Sequence, residues 1–139
     1  MKYLGLDIGD KRIGISLSTS GILASGVETY NRVSLKSDCQ HILDLIDKNK
    51  VDIVVAGLPK HLNGDAHEQA EKNEVLCDAL REYGIKIEYF DERLTSSCAE
   101  KAMLEADLSR KKRKENIDKL AAVIILQDYL DLKNGGSFL

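Results

Sequence analysis

The sequence predicts an α/β fold, with one mixed five-stranded sheet flanked by helices. Apolar residues in the first part of the chain recur with the period of two that is typical of strands, and later segments alternate helical periodicity with two short apolar runs. Because a helix precedes each of the two later strands, we expect them to join the sheet in parallel through right-handed crossovers. The 43% apolar and 31% charged residues are typical of a globular chain, so we expect a single domain over residues 1–139.

The first three strands are expected to form an antiparallel meander. An apolar segment over residues 3–8 predicts the first strand. Residues 12–17 predict the second, because isoleucine or leucine occupies every second position from Ile13. The short link between them contains Gly9 and indicates a hairpin. Residues 26–30 carry a weaker strand pattern and complete the meander.

Helices then alternate with the two parallel strands. Residues 35–46 place apolar side chains on one helical face. The run VDIVVAG at 51–57 is apolar enough for a strand that is covered on both faces. Residues 65–83 have helical periodicity, and Gly84 is expected to end that helix. Residues 85–90 predict the last strand.

The chain after the last strand is predicted to be helical. A short helix is expected over residues 95–106, with a capping box at 97–100. A basic loop at 110–114 then leads to a final helix over 117–132, which is apolar on nearly all sides and should therefore be buried.

Composition excludes several classes of protein. No apolar run approaches the roughly 18 residues that span a bilayer, and the first residues enter a strand pattern without a signal peptide. We therefore expect a cytoplasmic protein with no membrane partner. Cys39, Cys77 and Cys98 are widely spaced and odd in number, which argues against zinc ligation and a disulfide framework. Each falls in a helical pattern, and we expect them to be small buried apolar residues.

Three carboxylates are candidates for a common site, although each has an ordinary alternative explanation. Asp7 ends the first strand, where it can instead cap the hairpin turn. Glu92 follows the last strand, and ligands favour the carboxyl ends of strands in open sheets. Its alternative is a polar loop start beside Arg93. Asp118 opens the final helix, where an acid also suits the helix dipole.

If these three carboxylates meet, they predict a metal site. Without a cation they would repel one another and some would be forced to protonate. Hard oxygen ligands select Mg²⁺ or Mn²⁺. Such sites activate water and polarise a phosphodiester, with two metals about 4 Å apart in the fullest form.

Basic residues provide candidate phosphate contacts. A loop at 57–64 follows a buried strand and contains Lys60, but it lacks the ending of a Walker A loop. The run at 110–114 would be an ordinary solvated segment by itself, and beside a metal site it favours binding to a phosphate backbone. The net charge of −3 argues only weakly against a nucleic-acid partner. The predicted substrate contacts are Arg12, Lys60, Arg93, Arg110, Lys111, Lys112 and Arg113.

Four blocks of sequence, in this order and spanning nearly the whole chain, carry a family resemblance: Asp7–Gly14, Gly57–Pro59 with Gly64, Asp91–Thr95, and Asp118 with Ala121 and Ala122. Together they resemble the YqgF (RuvX) family, which is similar to the RuvC Holliday junction resolvases of the ribonuclease H-like superfamily. The resemblance implies a ribonuclease H-like fold and a nuclease that matures the 5′ end of 16S ribosomal RNA. By position, Asp7, Glu92 and Asp118 match the family's acidic triad.

The resemblance also leaves alternatives open. Resolvases have a fourth acid one turn beyond the last, where this chain has Ala121 or Ala122, and an acid in the strand that here reads Val54–Gly57. One alternative is cleavage of four-way DNA junctions, and another is a non-catalytic nucleic-acid-binding or ribosome-assembly module with the same fold. A third alternative is an ATPase of the actin and sugar-kinase superfamily. Such an ATPase needs two domains of this kind, and this chain is too short for two. No interface signature indicates an oligomeric state.

Overall fold

The computed structural model describes residues 1–9, 11–58, 74–91 and 110–135, with only the backbone described for Leu58, Asp91 and residues 110–118. These ranges contain five strands and three helices. In chain order they are β1 (Tyr3–Ile8), β2 (Arg12–Ser18), β3 (Ser25–Asn31), α1 (Leu35–Asn49), β4 (Ile53–Leu58), α2 (74–82), β5 (Ile87–Asp91) and α3 (Arg110–Lys133).

The five strands form one mixed sheet in the order β3-β2-β1-β4-β5. β2 pairs antiparallel with both β1 and β3, whereas β4 pairs parallel with both β1 and β5. The predicted antiparallel meander and the two parallel strands are therefore confirmed. Because β1, β4 and β5 run in the same direction, their carboxyl ends lie at one edge of the sheet.

The two faces of the sheet are covered by different helices. Leu4, Leu6 and Ile8 belong to a buried cluster with residues of α1 and α2. Tyr3 belongs to a second cluster, with α3 residues such as Leu126. Since successive strand residues point to opposite faces, the odd-numbered positions of β1 face α3. These positions include that of Asp7.

Helix α3 approaches the sheet closely across a row of small residues. Gly5, Ser16 and Gly26 pair with one another across β1, β2 and β3. The Ser16 hydroxyl donates a 2.8 Å hydrogen bond to the carbonyl oxygen of Ala122 in α3. A Cβ built on Gly5 would lie 2.8 Å from Leu126 Cβ. The absence of a side chain at Gly5 therefore sets the distance between α3 and the sheet.

Several element boundaries differ from the predictions. The basic run at 110–114 is the first part of α3 and not a loop, because lysine and arginine are strong helix formers even where no apolar periodicity marks the helix. β4 begins at Ile53, two residues later than predicted, and extends one residue further to Leu58, which the sequence assigned to the following loop. β5 begins at Ile87, two residues later than predicted.

Other predictions fall partly outside the described residues. Gly84 ends α2 as expected, with φ of 83° and an N–H that donates to the Arg81 carbonyl at 2.9 Å. The predicted helical stretch at 65–73 and the short helix at 95–106 lie outside the described residues.

None of the helical segments in the described ranges has the length and apolar character needed to cross a membrane.

Cys39 and Cys77 are buried free thiols within helices, as predicted, whereas Cys98 lies outside the described residues. Burial raises the pKa of both thiols, and the thiolate is the reactive form. We expect N-ethylmaleimide at pH 8 to label these two positions slowly in the native protein and fast in guanidinium chloride. Peptide mapping by mass spectrometry measures this, and fast native labelling of Cys77 would contradict the packing described.

Candidate active site

Asp7 lies at the carboxyl end of β1, half-buried and on the face that α3 covers. Its partner across β2 is Gly14. On the other side, continuation of the pairing between Leu6 and Ala56 sets Gly57 of β4 beside it. Neither neighbouring position carries a side chain, so the adjacent residues of β2 and β4 do not cover the Asp7 carboxylate.

The backbone of α3 brings position 118 toward the same end of the sheet. The rings of Tyr3 and Tyr129 lie 5.8 Å apart, and the next residue on that face of β1, Gly5, lies against Ala122 and Leu126. Helix α3 therefore runs antiparallel to β1. One helical turn before Ala122 is Asp118, and one step beyond Gly5 is Asp7. Only the backbone of Asp118 is described, so the meeting of its carboxylate with Asp7 stays a prediction.

The expected third member of the triad lies outside the described residues. Glu92 follows the last residue of β5, and the predicted substrate contacts Lys60 and Arg93 are also outside. Within β5, Phe90 packs in the α3 cluster, and the Tyr129 hydroxyl donates a hydrogen bond to the Glu88 carboxylate. The even positions of β5 thus face α3. In the part of the chain that is described, no group of three His, Cys, Asp or Glu residues could hold a metal.

Arg12 is exposed at the start of β2, and alternation from Ser16 and Gly14 places it on the α3 face with Asp7. The turn that joins these two residues is held by a 2.8 Å hydrogen bond from the Gly9 N–H to the Arg12 carbonyl. The predicted substrate contact and the predicted catalytic carboxylate thus belong to one hairpin. Movement of that turn would displace both.

A buried ion pair supports the same turn, and sequence reasoning missed it. Arg32 donates from Nε to the Asp38 carboxylate at 2.9 Å and from Nη1 to the Gly9 carbonyl at 3.0 Å. The Asp38 side chain is only 1% exposed and also accepts from the Val33 N–H. Burial, followed by the negative charge of Asp38, raises the pKa of Tyr30. The signal available in the sequence was Asp38 in the first turn of a helix capped by Ser34, but its partner could not be read from periodicity.

The family model RuvX, described as Holliday junction resolvase, matches residues 1–132. The chain belongs to the RuvX family. This confirms the resemblance seen in the four sequence blocks, and it places the chain in a family of phosphodiester-cleaving enzymes.

Curated relatives agree with the RuvX assignment over nearly the full length. A protein of Clostridioides difficile is 48% identical over 134 residues, with 95% of each chain covered. A protein of Clostridium botulinum is 50% identical over 133 residues, covering 94% of this chain and 97% of the relative. Both are named as candidate pre-16S rRNA nucleases.

Solved structures confirm the ribonuclease H-like fold expected of a RuvX protein. Thermus thermophilus RuvC in complex with a Holliday junction substrate matches with a TM-score of 0.66 at 12% identity, covering 98% of this chain and 97% of that one. Fowlpox virus resolvase, in a complex with Holliday junction DNA, matches with a TM-score of 0.54 at 10% identity, covering 96% and 99%. At such identities the likeness concerns the fold alone.

The structure also bears on the fourth acid that the resolvase pattern would require. Ala122, one turn beyond Asp118, is fully buried, and its carbonyl oxygen accepts the Ser16 hydrogen bond. A Cβ built on Gly5 would lie 3.1 Å from that carbonyl oxygen, so α3 packs closely on the sheet at this position. Ala122 thus takes part in the packing of α3 on β1 and β2.

Proposed function

We propose that this RuvX protein is a cytoplasmic, metal-dependent endonuclease that cleaves a phosphodiester bond at the 5′ side of precursor 16S rRNA. The observation that carries the proposal is the position of Asp7. Its carboxylate stands between two glycine positions at the edge where β1, β4 and β5 end and toward which α3 brings position 118. The names of the curated relatives supply the substrate class.

We infer that Asp7, Glu92 and Asp118 form the metal-binding set. The donors are hard carboxylate oxygens, and the glycines paired beside Asp7 place no side chain against its carboxylate, so the residues fit Mg²⁺ or Mn²⁺. A divalent cation held there would polarise the phosphate and lower the pKa of the attacking water. In the reaction, water oxygen bonds to phosphorus in line, the bond to the 3′ oxygen breaks, and that oxygen takes up a proton. One product keeps a 5′ phosphate.

The start of α3 favours an anionic partner. The run Arg110, Lys111, Lys112 and Arg113 occupies its first turn, which contains no acidic residue. Positive side chains at a helix N-terminus are unfavourable because the helix dipole is also positive there. Phosphate groups bound there would neutralise both the positive side chains and the positive end of the helix dipole. We therefore propose that this turn, with Arg12, Lys60 and Arg93, binds the RNA backbone.

Cleavage of a defined transcript tests the proposal. The purified protein, with Mg²⁺ or Mn²⁺, is expected to cut a transcript spanning the 5′ end of precursor 16S rRNA and to leave a 5′ phosphate, which end mapping by sequencing detects. In cells, depletion is expected to leave unprocessed 5′ ends. Normal processing after complete depletion would overturn the assigned substrate.

A second candidate substrate is a four-way DNA junction, since the matching family model is described as Holliday junction resolvase. The same protein and buffers, with a synthetic junction in place of the transcript, compare the two substrates directly. Preferential cleavage of the junction would favour this alternative. Titration with Mn²⁺ by calorimetry distinguishes the RNA nuclease and the junction nuclease from a non-catalytic module. For such a module no binding of Mn²⁺ is expected, with or without RNA.

A further inference from the structure

The face of the sheet that carries Asp7 also carries a lysine outside the predicted set of substrate contacts. Lys119 follows Asp118 in α3 and is half-buried. A Cβ built on Gly26 would lie 2.8, 2.9 and 3.3 Å from its Cγ, Cδ and Cε. The whole aliphatic stem of Lys119 therefore lies against the backbone of β3. This contact is possible because position 26 has no side chain.

The position of Lys119 relates it to the proposed site. Gly26 belongs to the row of paired residues that includes Ser16 and Gly5, and the next row on the same face contains Thr29, Gly14 and Asp7. Successive rows on one face are about 7 Å apart. Lys119 leaves α3 beside Asp118 and covers β3, so it flanks Asp7 on the β2–β3 side. The β4–β5 side is where Glu92 is expected.

Within the described part of the protein, no carboxylate forms an ion pair with the ammonium group of Lys119. Ordering a lysine stem costs side-chain entropy, and here contact with β3 already orders it. An ordered cation beside a nuclease site is preorganised for an anionic ligand.

We propose that Lys119 binds a phosphate of the RNA backbone on the β2–β3 side of the cleavage point, and that Gly26 positions it. This inference rests on the proposed function, because it assumes that RNA is bound at the Asp7 edge. The inference therefore places part of the RNA backbone along β3, on which none of the predicted substrate contacts lies.

The salt dependence of RNA binding tests the inference without involving cleavage. Anisotropy of a fluorescein-labelled RNA stem-loop, measured in EDTA at several KCl concentrations, gives the slope of log affinity against log salt. Lys119→Met is expected to bind several-fold more weakly at low salt and to reduce the slope by about one. The control is Lys48→Met, in the last turn of α1 on the opposite face, and its slope should equal that of the wild type.

A double-mutant cycle tests the role of Gly26. Gly26→Ala should weaken binding in the wild type, because its Cβ displaces the lysine stem, and should have no effect in a Lys119→Ala background, where that stem is absent. Circular dichroism confirms folding of each variant. An unchanged slope in Lys119→Met, with normal binding by the wild type, would overturn this inference alone. A wild type that neither binds nor cleaves RNA would overturn the proposed function and this inference together.

Discussion

Replacing Asp7 by asparagine is expected to abolish RNA cleavage while the fold and most of the RNA affinity remain. Asparagine has the same shape but carries no charge, and Asp7 is half-buried at the end of β1 and not in the apolar core. The loss in rate should be roughly a thousandfold or more, as is typical when one member of a catalytic set that acts as a unit is removed. Initial rates with Mg²⁺ and with Mn²⁺ measure the effect, and anisotropy measures RNA binding.

The same variant tests the metal site independently of catalysis. If three carboxylates meet, they repel one another in the absence of metal. Asp7→Asn should then raise the melting temperature in EDTA, and it should lose the stabilisation that Mn²⁺ confers on the wild type by binding the folded state. A thermal-shift titration with Mn²⁺ gives both results.

A matched control for Asp7→Asn is Asp47→Asn, at an exposed acid on α1, on the opposite face of the sheet. This variant should cleave at the wild-type rate and keep the wild-type response to Mn²⁺. Full activity in Asp7→Asn, from protein free of contaminating nuclease, would remove Asp7 from the mechanism and leave it as a residue of the hairpin turn.

Local patterns were sufficient to predict the strands and their directions. The alternation in β2 and the apolar run of β4 depend on which faces are buried, and burial is visible in sequence periodicity. The start of α3 was not visible in this way, because its first residues are basic and their sequence has no apolar period. Helix propensity was the only available signal there, and it is weak.

The site was predictable to the extent that topology places it. Asp7 ends a central strand, and parallel crossovers bring the ends of β4 and β5 to the same edge, so the sequence order alone indicated a cluster there. The supporting contacts were not predictable. Ser16 binds a carbonyl 106 residues away, and Arg32 reaches back to Gly9. Such polar pairings depend on how closely the elements pack, which periodicity does not report.

Replacing Gly5 by alanine is expected to destabilise the protein by about 3 kcal/mol, the upper end of the range for overpacking a core. The new Cβ would lie 2.8 Å from Leu126 Cβ and 3.1 Å from the Ala122 carbonyl oxygen, and it would also collide with the Ser16 hydroxyl. These atoms belong to the backbone or lie next to it, so only a shift of α3 can relieve the contact. The melting temperature should fall by roughly 10 °C, which differential scanning calorimetry measures.

Gly26→Ala is the matched control for Gly5→Ala, because it adds the same methyl group in the same row beneath the same helix. Its Cβ meets the flexible stem of Lys119, 2.8 Å from Cγ, and that stem can move aside. The free energy of unfolding should therefore change by less than about 1 kcal/mol. If both variants were equally stable, α3 would not be held at the distance that Gly5 permits. Because α3 carries Asp118, a displaced helix in Gly5→Ala should also reduce cleavage in protein that is still folded, whereas Gly26→Ala should affect RNA binding alone.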